Sequence, residues 1–156
     1  MAAHVRKQIR AALVTALTGL STTGNNVFAG RASDRELQAS NLPALKIDTV
    51  DGGDIETLSM GGVARLLERR LVVTLTAVVK SNSTPQDTVD QIFKEVEVAL
   101  SASVSANTLG GLVKHITPIG EPQIEIVGEG ETTVVEGKQN FLAPYVTALN
   151  APDAAL

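Results

Sequence analysis

The sequence predicts an α+β domain, a mostly antiparallel sheet with two amphipathic helices packed on one of its faces. Three observations predict it. The patterns run helix, strands, helix, strands along the chain. Thr84-Pro85-Gln86-Asp87 opens the second helix, and Val89, Ile92, Phe93, Val96 and Leu100 follow it as one apolar stripe at helical spacing. Residues 65–80 alternate instead: Leu67, Leu71, Val73, Leu75, Ala77 and Val79 share one parity, and Arg70, Thr74, Thr76 and Lys80 the other. β-branched residues are frequent there, as a strand prefers.

The first helix is expected from about His4 to Thr18, ending at Gly19. Val5, Ile9, Ala12, Leu13, Ala16, Leu17 and Leu20 form its apolar stripe, and Arg6, Lys7 and Arg10 its other face. The same stretch has the outline of a short signal sequence. Thr15 and Thr18 interrupt its apolar run and no small-x-small cleavage site follows, so the core-facing helix is the better reading. Residues 26–31 read as a short strand and residues 33–43 as a loop ending at a proline. Leu45, Ile47 and Thr49 alternate with Lys46 and Asp48 in a half-buried strand. Residues 51–62, with Gly52, Gly53, Gly61 and Gly62, read as a flexible connection or hairpin tip.

Thr84 is expected to cap the second helix, with Pro85 at its first position and Asp87 in the place of a capping-box Glu. Asn82-Ser83-Thr84 also matches a glycosylation sequon, and the capping turn explains the same residues. The helix should end near Ser101. A glycine turn at residues 107–111 leads to strands at about 112–117 and 123–127, then an acidic loop at 128–137. The last strand is expected over 139–149, with Pro144 arguing for an edge position or a bulge. The domain is expected over residues 1–150, and residues 151–156 as a loose tail.

Composition narrows the function. The 156 residues suit one domain, and 44% apolar with 19% charged residues excludes wholesale disorder. With 3% aromatic residues the core must be aliphatic. There is no cysteine, hence no disulfide, thiolate metal site or cysteine nucleophile. No apolar run approaches the ~20 residues of a membrane span. The net charge of −4 is unevenly placed. Residues 1–80 carry ten basic and seven acidic side chains, residues 81–156 three and ten, or +3 against −7. Such polarity fits head-to-tail subunit contacts and equally two solvated faces that differ.

No reactive constellation in the sequence is complete. His4 and His115 are the only histidines and lack a metal-binding spacing. Ser59 lacks the glycine that a nucleophile elbow needs where Thr57 stands. Gly128-Glu129-Gly130 lacks a third glycine, and Gly137-Lys138-Gln139 lacks the hydroxyl of a phosphate loop. Glu121, Glu125, Glu129, Glu131 and Glu136 could pair for acid–base work, but a hairpin tip offers little burial. No cofactor and no metal are expected. Arg65, Arg69 and Arg70 are either a solvated strand end or a subunit contact, since arginine is enriched at interfaces. Nucleic-acid binding lacks both aromatic platform and positive net charge.

The motifs in their order resemble a known family. His4-Val5-Arg6-Lys7-Gln8-Ile9-Arg10-Ala11-Ala12-Leu13, Thr23-Gly24-Asn25-Asn26-Val27-Phe28-Ala29-Gly30-Arg31 and Leu42-Pro43-Ala44-Leu45 are similar to the start of tail terminator proteins of tailed phages. Arg70-Leu71-Val72-Val73, Thr108-Leu109-Gly110-Gly111-Leu112-Val113 and Phe141-Leu142-Ala143-Pro144-Tyr145-Val146-Thr147 fit the same pattern, which spans about residues 4–149; Pro144 departs from it. The resemblance implies a ring, generally a homo-hexamer, that caps the head-proximal end of the tail tube, stops its polymerisation and meets the head-side connector protein. Its partners would be itself, the tail tube protein and that connector, with DNA only as passing cargo. The place would be the virion, assembled in the host cytoplasm. In such a ring Arg65, Arg69 and Arg70 would meet a neighbouring subunit. Glu129, Glu131 and Glu136 would face the lumen or dock on the tube. The alternatives are another neck or tube protein, and a monomeric small-molecule-binding domain.

Overall fold

The computed structural model describes residues 2–29, 42–52, 55–59, 65–80, 84–127 and 134–156. Its elements are α1 (Val5–Leu17), β1 (Val27–Ala29), β2 (Ala44–Asp51), β3 (Glu56–Ser59), β4 (Leu66–Lys80), α2 (Pro85–Ser101), α3 (Val104–Asn107), β5 (Thr117–Val127), β6 (Val134–Ala148) and β7 (Ala151–Ala155). β4 and β6, each 15 residues long, pair antiparallel along their whole length, from Leu66 opposite Ala148 to Lys80 opposite Val134. This pair is the spine of one sheet with strand order β1-β2-β4-β6-β5. β3 continues the outer edge of β4 beyond β2, and β7 that of β6 beyond β5. Among the described strands only β1 and β2 pair in parallel.

Both long helices lie on one face. The stripe of α2 is buried as its spacing requires, and so are Val5, Ile9, Leu13 and Leu17 of α1. They close on Leu45, Ile47, Leu71, Val73, Leu75, Ala77, Val79 and Phe141 of the sheet, an aliphatic core with little aromatic content. α2 approaches β6 closely at Gly137, where a Cβ would overlap Val89 Cγ1 and come within 3.2 Å of Phe93 Cε2. Gly137 is thus a packing requirement. Thr84 holds the N-cap position and Pro85 follows, but the Thr84 hydroxyl makes no cap hydrogen bond, contrary to expectation.

Several expectations need correction. Residues 112–116 are not a strand. Leu109, Gly110 and Gly111 take positive φ, and the chain turns so that Val113 and Ile116 plug the core. The strand begins at Thr117 and runs through an irregularity at 120–122, where Gly120 has φ 73°, so two expected strands are one. Residues 56–59 form a strand inside the expected connection. Residues 151–155 are not a loose tail. They pair with β6 where β5 has ended, Leu156 N donates to Val146 O at 2.9 Å, and Gln8 Nε2 donates to Asp153 O at 2.7 Å.

Pro144 lies on the part of β6 whose outer side no described strand pairs, since β5 reaches only to Leu142 and β7 starts at Thr147, so the expected edge position holds locally and there is no bulge against β4. Its carbonyl accepts from Lys114 N at 2.8 Å, on the side away from β4. In an antiparallel ladder the amide nitrogen of a residue points the same way as its carbonyl, so the proline costs no bond to β4. Thr76, expected to face solvent, is 2% exposed. Lys46 and Glu136 reach towards each other across β4 (3.7 Å), and their stems cover Thr76 and Val78 on the face without helices. The sequon residues Asn82 and Ser83, and the loop at 33–41, lie outside the described residues.

Candidate functional site

The basic residues of α1 and Arg69 of β4 come together at one end of the sheet. Arg6, Lys7 and Arg10 follow one another on the polar side of α1, beside His4. With Thr49, Val50 and Leu71 they line an open cleft of about 500 Å³ between α1 and the sheet. Arg10 Nη1 donates to Thr49 Oγ1 at 3.0 Å, which fixes the guanidinium against β2. His4 caps α1, its Nδ1 accepting from Arg6 N at 3.2 Å. Burial, then the nearby Arg6 and Arg69 cations, hold the His4 imidazole below its ordinary pKa, against a smaller opposite pull from Asp153. No carboxylate lines this cleft among the described residues.

The arginines singled out in the sequence do not form one cluster. Arg69 points to the helix side and its Nε donates to Thr147 Oγ1 at 3.1 Å. Arg70 points to the other side and pairs with Glu56 at 3.4 Å. Arg65 precedes β4, is exposed, and its carbonyl accepts from Leu149 N at 2.8 Å. What unites Arg69 with the α1 cations is the docking of the helix, which joins two stretches far apart in sequence. The basic face of α1 was visible as a pattern; the cleft and its Thr49 anchor depend on tertiary packing.

The acidic residues lie elsewhere. Glu121 and Glu125 are exposed on β5, and Glu125 stands opposite Glu136 in the register. Glu136 is held by Lys46, whereas Glu129 and Glu131 lie outside the described residues. His115 is exposed in the turn before β5, not on a strand. Among the described residues no group of three or more His, Asp or Glu side chains could hold a metal ion. Nor is any described helix long and apolar enough to cross a membrane.

The sheet face without helices is mixed. One row across it, Val50, Val72 and Leu142, is apolar, and Val50 is 55% exposed. The next row pairs Thr74 with Asn140 through a 2.8 Å hydrogen bond. Compared with known proteins, the chain matches no family model and no curated protein sequence.

Proposed function

We propose that this chain is a structural subunit of a phage virion, similar to tail terminators, which forms a ring on the head-proximal end of the tail tube. There it stops tube growth and joins the tail to the head connector. The reading starts from the order of motifs over residues 4–149 and is supported by one observation of the fold. The helices cover only one face of the sheet, and among the described residues no strand pairs with the outer edges of β1 and β5. A row of valines and leucine on the other face and two strand ends of the order are thus left for neighbours. Surfaces of this kind serve assembly, since exposed edges and apolar rows are otherwise liabilities.

The test is the mass of the purified protein across concentration, followed by electron microscopy of tail tubes mixed with it. A closed ring that seats on one end of the tubes and halts their growth is the expected result. A monomer at every concentration that leaves tube ends bare and growing overturns the reading.

A further inference from the structure

Two surfaces carry charged side chains that form no ion pair among the described residues. The first is the α1–β2 cleft. Lys7 and Arg10 take part in none of the ion pairs among the described residues. Arg69 adds its charge from β4. The second is the outer edge of β5. Glu125 faces Glu136 across the strand pair, and like charges so placed are destabilising. Lys46 neutralises Glu136, but no described cation pairs with Glu121 or Glu125. Ile124 and Ile126, 39% and 72% exposed, flank Glu125 as apolar surface.

These surfaces cannot meet inside one chain. β4 and β6 separate β2 from β5, roughly 14 Å at ~4.8 Å per strand step. Thr49 is level with Val73, and Glu125 with Val78, roughly 17 Å further along at ~3.4 Å per residue. The cleft also opens on the helix side, whereas Glu125 shares the opposite side with Glu136. A contact that joins two different patches of the same chain is heterologous, and it closes into a ring when the rotation allows.

We propose that the α1–β2 cleft receives the acidic β5 edge of a second copy of this chain, with Lys7 and Arg10 facing Glu121 and Glu125. This rests on the ring reading and supplies the subunit contact that reading leaves open. The charges of the two surfaces are complementary, and complementary charge of this kind orients partners and fixes their register.

Charge exchange tests it. One variant carries Lys7→Glu and Arg10→Glu, a second Glu121→Lys and Glu125→Lys, and a third all four. Each of the first two should keep its circular dichroism and lose self-association by at least about tenfold in dissociation constant. Mixed in equal amounts they should assemble, because each then offers the charge the other needs. The third should assemble alone. Should Arg10→Glu unfold α1 through its Thr49 bond, the exposed pair Lys7→Glu and Glu121→Lys makes the same comparison. Wild-type-like assembly of the first two variants overturns the contact and leaves the ring standing. So does a mixture that stays monomeric. Wild-type protein that never associates, yet is stabilised by inorganic phosphate in the cleft, overturns both contact and ring.

Discussion

On the helix-covered face of the sheet, Leu45, Ile47, Leu71, Val73, Leu75, Phe141 and Ala143 are each 1% exposed or less, whereas on the opposite face of the same strands Arg70, Lys138 and Asn140 meet solvent and Val50 is 55% exposed. Strand alternation produces both surfaces from one stretch of chain. The covered face is completed by the chain itself, through α1 and α2. Among the described residues two lysine–glutamate pairs cover part of the open face: Lys46 with Glu136 over Thr76 and Val78, and Lys114 with Glu68 at 2.6 Å, beside Val146. Between them lies the apolar row of Val50, Val72 and Leu142. One face therefore carries the stability of the subunit, and the other has surface to spare for contacts.

Neighbouring residues of β6 put the largest number on this difference. Phe141 is 1% exposed under the helices, and Leu142 is half-buried on the open face. Phe141→Ala should cost about 3–5 kcal/mol, the usual price of emptying a core site. Leu142→Ala should cost about 1 kcal/mol or less, because solvent already reaches that side chain. Urea unfolding of the two variants reads both values. Equal losses would mean that the open face is as closed as the covered one.

A smaller effect is expected at the next contrast along the same strand. Gly137→Ala places a methyl group against Val89 and Phe93 of α2, and overpacking of this kind costs about 1–3 kcal/mol. Lys138→Ala, one residue on and exposed on the open face, should stay within about 0.5 kcal/mol of wild type. A neutral Gly137→Ala would show that α2 can move off β6 at little cost.

The covered face was the legible part of the sequence. Period two in β4 and the stripe of α2 named its buried residues, because burial on one side is what makes such patterns. The open face was legible only where it is solvated. Thr76 and Val78 are covered by the stems of Lys46 and Glu136, which come from β2 and β6, and no local pattern encodes that crossing. The turn after α3 misled for a related reason. Val113 and Ile116 are apolar because they plug the core from a turn, but they sit close enough in sequence to imitate a strand. Residues 151–155 are mostly alanine with a proline and carry no strand pattern, and become a strand only because β5 leaves part of the edge of β6 free. The candidate site shares this limit. The basic face of α1 and the acidic bias of the second half were visible, but their places at opposite corners of one sheet follow from the strand order.

The smallest expected effect separates the faces by pH. His4 caps α1 on the covered side and is neutral when its Nδ1 accepts from Arg6 N, and its pKa is held down by burial and by Arg6 and Arg69. The unfolded chain therefore takes up a proton at His4 more readily than the folded one. The stability this gives is complete above the ordinary histidine value of about 6.5 and is lost as the pH falls through it. Glu68 lies on the open side, where its hydrogen bond to Lys114 holds the carboxyl below its usual range. Its contribution is present above the ordinary carboxyl value of about 4.3 and is lost only as the pH falls below that. Each should be worth less than about 1 kcal/mol, as expected for a partly exposed cap and a surface ion pair. In His4→Asn, which keeps a capping acceptor without a titration, the urea midpoint should be flat between about pH 7.5 and 5.5, where wild type declines. In Glu68→Gln the loss should vanish only from the acid limb. A decline near neutrality that survives in His4→Asn would assign it to another group and remove the cap of α1 as the pH-sensitive element of the covered side.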